Sequence, residues 1–324
     1  MRVLVIGGAG YIGSVTTEAL LARGNTVTIL DNFSTGHRAA VPPGAVLLHG
    51  DLEALHELRN VVRWDDYDAV MHFAAKSIVP ESMTAPGRYF SNNVAAVVRL
   101  LNAMLEAETT RFVFSSSAAV YGEPQKVPIS EDVPLCPNNP YGESKAIVEQ
   151  MLKWYSSQTA LRYAALRYFN AAGASEQFGE DHSPETHLIP LALQTAAGQR
   201  KSLTVFGTDY PTPDGTAVRD YIHVLDLAEA HIRALEHLEQ ESLVCNLGSE
   251  HGYSVQEVLD TVRQVSGADL PIEHGPRRAG DAAKTIASSE RARDVLGWRP
   301  TRGLREIVES AWRWRQKHPY GYED

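Results

Sequence analysis

The sequence has few cysteines, no long apolar run and fewer basic than acidic residues. Its only two cysteines, Cys136 and Cys245, are too few and too far apart for a disulfide framework or a cysteine-based zinc site. No apolar run approaches 18 residues, so we expect no membrane span. With 30 Lys and Arg against 40 Asp and Glu, the net charge of −10 argues against general nucleic-acid binding, which requires clustered cations.

The N-terminal segment also lacks the features of a secretion signal. Residues 1–6 are too short for a signal-peptide core and lead directly into a glycine loop. A hydrophobic content of 44% with 22% charged residues is ordinary for a soluble globular protein, so a reducing cytoplasm is the simplest compartment.

A dinucleotide-binding pattern opens the chain. Arg2–Ile6 is a β-branched and leucine-rich run, typical of a strand buried on both faces. It ends in the glycine loop Gly7–Gly13, and we expect a helix from Tyr11 to about Arg23 and a second strand over Thr26–Leu30. Glycines let the backbone approach a pyrophosphate, and the helix N terminus supplies free N–H groups to it.

Asp31 follows the second strand, where an acid is expected to accept hydrogen bonds from both hydroxyls of an adenosine ribose. Its charge would repel a 2′-phosphate, so the sequence favours NAD over NADP. Arg38 lies close enough in sequence to leave NADP open.

Strand and helix patterns continue to alternate through residue 170. This alternation predicts an α/β fold with a doubly wound parallel (Rossmann) sheet. The strands are expected over Ala45–His49, Ala69–Phe73, Arg111–Phe114 and Tyr163–Phe169, and a helix is expected from Pro86 to about Ala107. Ligands of such sheets bind beyond the carboxyl ends of the strands. The predicted strands end at Asp31, Asp51-Leu52, Ala74-Ala75, Ser117 and Asn170.

The pentad Tyr141-Gly-Glu-Ser-Lys145 carries the catalytic hypothesis. If Pro140 begins a helix, Tyr141 and Lys145 lie one turn apart on one face. A nearby ammonium favours phenolate, so we expect Lys145 to lower the pKa of Tyr141. Such a phenol could exchange a proton with a substrate hydroxyl, and Ser117 could share that hydrogen bond.

The composition changes after Asn170. Residues 171–190 are predicted to be a loop, and helices are expected to begin near His187, at Asp226, at the capping box of Ser254 and near Leu304. We therefore predict an NAD-binding domain over residues 1–170 and a smaller mixed α/β substrate lobe over 171–324. A strand near 243–246 is expected to return to the first domain.

Motifs spread over nearly the whole chain resemble those of the extended short-chain dehydrogenase/reductases. The superfamily motifs are the glycine loop, the serines 115–117 and the Tyr141 pentad. The stretch Asp209–Val224, together with Arg-Arg-Ala-Gly-Asp from Arg277, is similar to the 4-epimerase branch of that family. The resemblance implies reversible, NAD-dependent C4 epimerisation of a UDP-hexose such as UDP-galactose or UDP-glucose, through a 4-keto sugar.

The resemblance also implies residue roles. The catalytic residues would be Ser117, Tyr141 and Lys145, and no metal is implied. The NAD-binding residues would be Gly7, Gly10, Tyr11, Ile12, Gly13, Asp31, Asn32, Asp51, Leu52, Phe73, Ala74, Ala75, Asn93, Tyr141, Lys145 and Tyr168. The UDP-sugar would contact Ser117, Tyr141, Asn170, His187, Phe206, Arg219, Arg278, Asp281 and Thr285. Members are commonly dimers through helices that correspond here to residues 86–107 and 140–158, so a homodimer is expected.

Three positions depart from the family pattern or affect the substrate. Some members carry a lysine where Ser77 stands, which puts that cofactor contact in doubt, and many have an asparagine at the position of His187. The family places a pocket-bounding residue four positions after Asp281. Here it is Thr285, which is small enough to predict activity on UDP-N-acetylhexosamines as well.

Other functions remain open to different degrees. Sugar-nucleotide 4,6-dehydratases and decarboxylases of the superfamily usually place a carboxylate just after the catalytic Ser or Thr, where this chain has Ala118 and Ala119. An epimerase for UDP-pentoses or UDP-uronic acids differs only at C5 and stays open. A non-catalytic NAD-sensing regulator would not need Ser117, Tyr141 and Lys145 together.

Overall fold

A seven-stranded, all-parallel sheet forms the centre of the larger lobe. The structure, a computed structural model, describes residues 1–54, 66–278 and 281–323. The sheet has the strand order β10-β6-β5-β4-β1-β2-β3. Its strands are β1 (Arg2–Ile6), β2 (Thr26–Asp31), β3 (Val46–His49), β4 (Ala69–His72), β5 (Arg111–Ser117), β6 (Arg162–Tyr168) and β10 (Leu243–Leu247). This is the doubly wound α/β sheet that the strand pattern predicts.

Helices cover both faces of this sheet because its central strands are apolar on both sides. Side chains of α1 and α7 pack on one face and those of α4 and α5 on the other. The helices of the described residues are α1 (Tyr11–Ala22), α2 (Val79–Thr84), α3 (Pro86–Phe90), α4 (Ala96–Glu106), α5 (Pro140–Gln158), α6 (Leu188–Ala196), α7 (Val224–His237), α8 (Val255–Ser266), α9 (Glu290–Leu296) and α10 (Leu304–Lys317).

The smaller lobe is built from short strands and three helices. One sheet contains β7 (Asn170–Ala172), β9 (Val218–His223), β11 (Gly252–Ser254) and β13 (Lys284–Thr285), and the other pairs β8 (Leu203–Phe206) with β12 (Ile272–Gly275). Apolar residues of α6, α8 and α10 form its core with β8 and β9. None of the helices among the described residues is long and apolar enough to cross a membrane.

Local signals in the sequence place most element boundaries well. The helix at Pro140 is confirmed, with Asn139 as its N-cap, since the Asn139 side chain accepts a hydrogen bond from the Gly142 N–H. The capping box at Ser254 and the last helix from Leu304 are confirmed as well. The strand expected near 243–246 is confirmed as β10, which pairs with β6. The domain boundary near residue 170 stays a prediction.

Three expectations need correction. The helix expected over Pro86–Ala107 is not continuous: α3 and α4 are separated by a π-helical segment, Ser91–Ala95. The predicted loop after Asn170 begins with strand β7, which pairs with β9. The helix predicted to start at Asp226 begins at Val224, with His223 as its N-cap. Strand β5 ends at Ser117, as expected, because the three serines pair with β6.

Candidate functional site

The glycine loop and the N terminus of α1 form the phosphate end of the predicted cofactor site. Gly7 has a φ of +80°, and a Cβ there would lie 2.5 Å from the Ala74 backbone nitrogen. A Cβ at Gly13 would lie 2.1 Å from the Gly7 carbonyl oxygen. At Gly10 the space is open apart from that same oxygen, at 3.4 Å. The loop therefore leaves its open side at the N terminus of α1, where no side chain caps the helix, and it fits a pyrophosphate.

Asp31 lies where an adenosine ribose is expected. One of its carboxylate oxygens accepts a hydrogen bond from the Ala9 N–H at 2.9 Å and the other from the Phe33 N–H at 2.8 Å. Burial raises the pKa of Asp31, and these two backbone donors oppose the rise. The Asn32 side chain donates a hydrogen bond to the Asp51 carboxylate at 2.8 Å, which links the segments that follow β2 and β3. The carboxylates of Asp31 and Asp51 are thus held in place by neighbours of the glycine loop.

The segment after β4 packs against this loop. Phe73 and Ala74 both donate backbone hydrogen bonds to the Ile6 carbonyl, and Ala75 follows them, partly buried. Asn93 lies in the π-helical segment and bonds both backbone groups of Lys76 at 2.9 Å. The predicted cofactor residue Asn93 therefore positions this segment, as π-bulges often do near functional sites.

Two further predicted cofactor residues use their side chains within the fold. Tyr11 is buried, and its hydroxyl donates to the Gly173 carbonyl at 2.7 Å, so the cofactor loop is tied to the segment after β7. Tyr168 ends β6, where burial raises the pKa of its phenol above the ordinary range. Ile12 and Leu52 pack at the edges of the apolar cores.

Ser117, Tyr141 and Lys145 meet at the carboxyl end of β5. Ser117 ends the strand, and its hydroxyl accepts a hydrogen bond from the Ala119 N–H at 3.1 Å. The same hydroxyl is close enough to the Tyr141 phenol to lower the pKa of that phenol. Lys145 is buried, one helical turn beyond Tyr141, and its Nζ donates to the Ser115 carbonyl at 2.8 Å. That Nζ lies 5.9 Å from the centroid of the Tyr141 ring. The structure thus brings the three predicted catalytic residues together.

The expected direction of the Tyr141 pKa shift is wrong for the chain alone. Burial raises this pKa, and the hydrogen bond from Ser117 only partly opposes the rise. Burial also lowers the pKa of Lys145 to about 7, with Glu149 opposing the change. A lysine that is only partly charged near neutral pH supplies little positive charge to a phenol. Depth of burial therefore outweighs the one-turn spacing on which the expectation was based.

Sequence reasoning missed an ion pair beneath these residues. Glu149 and Arg167 are almost completely buried and approach to 2.5 Å, and the Ser116 hydroxyl donates to Glu149 at 2.6 Å. Glu149 lies one turn after Lys145 on the same face of α5, so its spacing was a usable signal. The pair ties β5, β6 and α5 together directly behind Lys145.

The smaller lobe groups three of the predicted nucleotide-binding residues. Arg219 on β9 donates to the Ala282 carbonyl at 2.8 Å, and its guanidinium lies 3.8 Å from the carboxylate of Asp281. Thr285 on β13 is the strand partner of Arg219. Asn170 lies at the start of β7 and donates to the Asp220 carbonyl at 2.8 Å, so β7 is joined to the strand that carries Arg219.

Arg278 and Phe206 form a second contact in this lobe. The Arg278 guanidinium lies 4.0 Å from the centroid of the Phe206 ring, whereas the neighbouring Arg277 stacks on Tyr210 and pairs with Asp209. Ala279 and Gly280, in the middle of the same motif, lie outside the described residues. Two adjacent arginines therefore have different partners, and only Arg278 contacts a predicted substrate residue.

His187 has partners that the sequence did not suggest. Its Nδ1 lies 2.8 Å from a Glu180 oxygen and 3.0 Å from a Glu185 oxygen. The Glu180 carboxylate raises the pKa of His187 far above its ordinary value. Glu180 and Glu185 were not predicted as site residues, and only their spacing from His187 could have suggested them.

Asp220 is a further residue that sequence reasoning missed. It is completely buried and accepts hydrogen bonds from the backbones of Ser249, Glu250 and Ala287 and from the Ser249 hydroxyl. Burial raises its pKa to about 6. This carboxylate joins the loop at Ser249 and Glu250 and the segment at Ala287 to the strand that carries Arg219.

Comparison with known proteins agrees with this arrangement. The model of the NAD dependent epimerase/dehydratase family matches residues 3–248. The UDP-glucose 4-epimerase of Lacticaseibacillus casei is 51% identical, and the match covers 100% of this chain and 99% of that protein. A crystal structure of a UDP-glucose 4-epimerase is 48% identical with a TM-score of 0.97, and all of both chains is covered.

A structure with bound ligands is similar as well. The UDP-glucose 4-epimerase of Bifidobacterium longum, in complex with NAD+ and UDP, is 37% identical with a TM-score of 0.93, and 99% of this chain and 100% of that chain are covered. The glycine loop, the serine–tyrosine–lysine group and the match over most of the chain lead to one conclusion: this chain belongs to the NAD dependent epimerase/dehydratase family.

Proposed function

We propose that this protein is an NAD-dependent isomerase that interconverts UDP-galactose and UDP-glucose by epimerisation at C4. The observation that carries the proposal is the grouping of Ser117, Tyr141 and buried Lys145 at the same sheet edge as the glycine loop, with the Lys145 Nζ 2.8 Å from the Ser115 carbonyl oxygen and 5.9 Å from the centroid of the Tyr141 ring. The similarity to UDP-glucose 4-epimerases over the full chain length supports it.

When bound, NAD supplies an acceptor and donor of hydride for C4 of the sugar. Tyr141 would take the proton of the 4-hydroxyl and return it once the 4-keto sugar presents its other face. The Ser117 hydroxyl can both donate and accept, so it would hold the same oxygen in either state. Burial keeps the Tyr141 phenol protonated in the protein without cofactor, so the phenol can act directly as the acid. It can act as the base only when a nearby positive charge lowers its pKa.

The reaction requires firm binding of the nucleotide and loose binding of the sugar, because the 4-keto sugar must rotate in the pocket between the two hydride transfers. Arg219 and Arg278 would hold the diphosphate, since a guanidinium can bind phosphate oxygens in a bidentate manner. Asp281, beside Arg219, would accept hydrogen bonds from the uridine ribose. Phe206 under Arg278 keeps that guanidinium in place. Asn170 and His187 would contact the phosphate–sugar region.

We also propose that UDP-N-acetylhexosamines are substrates. Thr285 is partly buried and stands beside Arg219 on a neighbouring strand, where a small side chain leaves room for a 2-acetamido group. Thr285→Tyr should therefore abolish turnover of UDP-N-acetylglucosamine and leave UDP-glucose turnover within a few-fold of wild type. Wild-type protein without detectable activity on UDP-N-acetylglucosamine would contradict this part of the proposal.

We further propose a cytoplasmic homodimer formed through α4 and α5. Both cysteines are free thiols, which suits a reducing compartment. On α5, the Trp154 side chain is 71% exposed, and a large exposed aromatic residue of this kind is typical of an interface. Sedimentation velocity should give a dimer for wild type and a monomer for Trp154→Glu. A wild-type monomer at micromolar concentration would exclude the dimer.

The main test begins with protein that is purified without added cofactor. Its ligand is released by denaturation and identified, and native protein is then incubated with UDP-galactose while UDP-glucose is followed. Retained NAD and interconversion are expected. Retained NAD without interconversion would favour another sugar nucleotide, such as a UDP-pentose or UDP-uronic acid. Protein with neither bound nucleotide nor turnover would favour a regulator.

A further inference from the structure

A compact group of metal-ligating side chains lies outside the residues used for epimerisation chemistry. Glu180, His182, Glu185 and His187 come from one segment between β7 and α6, and one ligand atom of each lies within 4.8 Å of all the others. Both histidines turn Nδ1 toward the carboxylates. The contacts are 2.8 and 3.0 Å from His187 to Glu180 and Glu185, and 3.3 and 3.8 Å from His182 to the same two residues.

The buried atoms of this group are not fully hydrogen-bonded. The side chain of Glu185 is only 5% exposed and that of Glu180 only 7%. Glu185 Oε2 and His182 Nδ1 are both buried, and neither forms a hydrogen bond with any residue that the structure describes. A buried carboxylate oxygen without a hydrogen-bond donor is destabilising, so its position calls for a partner. Both of these atoms face the interior of the group.

We propose that Glu180, His182, Glu185 and His187 bind a divalent transition-metal ion of the zinc class. Two imidazole nitrogens and two carboxylate oxygens form a donor set that suits Zn²⁺. Ligands at about 2.0–2.2 Å from a tetrahedral ion are separated by roughly 3.3–3.5 Å. The four separations between a histidine nitrogen and a carboxylate oxygen, 2.8–3.8 Å, bracket that value, and all pairs of ligand atoms lie within 4.8 Å. The two carboxylates also provide the two negative charges that balance a divalent cation.

Four protein ligands make this a closed site, which is the form of a structural rather than a catalytic centre. The segment that carries it connects the two sides of the candidate site. The Tyr11 ring of the cofactor loop lies edge-on to His182, with centroids 6.4 Å apart, and the Tyr11 hydroxyl bonds Gly173. At its other end, His187 is the N-cap residue of α6. A bound ion would therefore hold the cofactor loop and the substrate lobe in a fixed arrangement.

The ion would also fix the protonation pattern of His187. With Nδ1 on the metal, the remaining proton of the ring is on Nε2, which stays a hydrogen-bond donor. The His187 side chain is 54% exposed, so it is accessible from outside the group. An exposed N–H held in one orientation suits an anionic ligand.

The first experiment uses untagged wild-type protein with its bound nucleotide. Metal content is measured by mass spectrometry before and after dialysis against a chelator, and Zn²⁺ or Co²⁺ is then added back. We expect about one zinc per chain, strong visible absorption of tetrahedral cobalt, and a thermal midpoint that rises with zinc concentration. Protein that retains no metal, gives no cobalt band and melts at the same temperature with or without micromolar zinc would overturn the proposal.

The second experiment uses Glu185→Gln and His182→Gln, with Glu176→Gln as the matched control. Glu176 is exposed on the same segment and is outside the group. Gln at 185 still offers an oxygen to the backbone donors of Thr186 and His187. Each ligand variant should weaken zinc binding by more than about 100-fold, since loss of a supporting residue alone costs about 10–100-fold. The control should bind as wild type does.

Equal zinc binding by all four proteins would identify an adventitious ion and contradict the assignment. If a ligand variant fails to fold, the wild-type cobalt spectrum still decides between the outcomes. Neither readout involves sugar-nucleotide turnover. A failed metal test therefore leaves the proposed epimerase function intact, and loss of that function leaves the metal result unchanged.

Discussion

The two sides of the candidate site are built in different ways. On the cofactor side, residues at the ends of β1, β2, β4 and β5 are placed by parallel strand pairing, and backbone contacts fix the glycine loop and Asp31. On the nucleotide side, short strands and the loop between β12 and β13 carry long side chains that contact one another: Arg219 lies beside Asp281, and Arg278 lies over the Phe206 ring. Residues that the backbone positions form a rigid cofactor side. Side chains that are held by one another form a nucleotide side in which single residues can be substituted without disturbing the sheet.

The largest effect should come from the chemical centre on the sheet side. Tyr141→Phe removes the proton donor and is expected to lower kcat by about 10³-fold, within the range for loss of a general acid or base. Bound NAD and affinity for UDP should change little. Steady-state turnover of UDP-galactose and nucleotide release measure these quantities. Tyr155→Phe on the same helix removes a hydroxyl that bonds only Asn102 in the described hydrogen bonds, and it should leave kcat unchanged.

A Tyr141→Phe variant that retained a tenth of wild-type activity would exclude Tyr141 as the essential acid and base. Loss of UDP affinity in that variant would show instead that the two sides of the site are not separable.

The ion pair behind Lys145 should give the next largest effect, on stability. Glu149→Gln leaves the buried Arg167 without its carboxylate, and we expect a loss of about 3 kcal/mol in the free energy of unfolding. Asp132→Asn removes an ion pair with Arg291 at a side chain that is 85% exposed, and it should cost less than about 1 kcal/mol. Denaturant titration compares the two. Equal losses of unfolding free energy in the two variants would mean that burial does not make the Glu149–Arg167 pair more important for stability than the exposed Asp132–Arg291 pair.

On the nucleotide side, substitutions of the adjacent Arg277 and Arg278 should have different effects on the KM for UDP-galactose. Arg278→Ala is expected to raise the KM for UDP-galactose by about 30-fold, because a charge-assisted hydrogen bond contributes about 2 kcal/mol. Arg277 pairs with Asp209 at the surface, so Arg277→Ala should change KM by less than about 5-fold. Neither variant should alter kcat by more than a few-fold or reduce bound NAD. Arg278→Ala with reduced NAD content would break the division of the site into two sides.

The smallest effect concerns pH and Lys145. The native pKa of about 7 lies below the unfolded value of about 10.4, so between these values the unfolded chain binds more protons and native stability rises with pH. Below pH 7 the native state bears the cost of a buried ammonium. Lys145→Met should therefore raise the melting temperature of nucleotide-free protein by a few degrees below pH 7, and this gain should shrink toward pH 10.

The matched control for this comparison is Lys153→Met, which removes an exposed lysine from the same helix and should show no such trend. A gain for Lys145→Met that grows with pH would contradict the direction of the Lys145 shift.

Much of the fold could be predicted because its signals are local. Asn139 with Pro140 marks the start of α5, and Ser254 with Glu257 marks the start of α8 through hydrogen bonds within four residues. The strand ends of the parallel sheet then bring Asp31 and Ser117 to one edge, and the first turn of α5 brings Tyr141 there. Strand β7 was missed because its three residues carry no pattern of their own, and its pairing with β9 is a tertiary contact.

The sequence by itself determined the sheet, the glycine loop and the grouping of Ser117, Tyr141 and Lys145, since periodicity, caps and glycine positions act over a few residues. The tertiary structure decided the protonation of Tyr141 and Lys145, the pairing of Glu149 with Arg167, and the gathering of Glu180, His182, Glu185 and His187. The reason is physical. The charge state of an ionisable group depends on its solvent exposure and on its charged and hydrogen-bonding partners. Both are set by all the elements that pack around the group, and sequence spacing does not specify them.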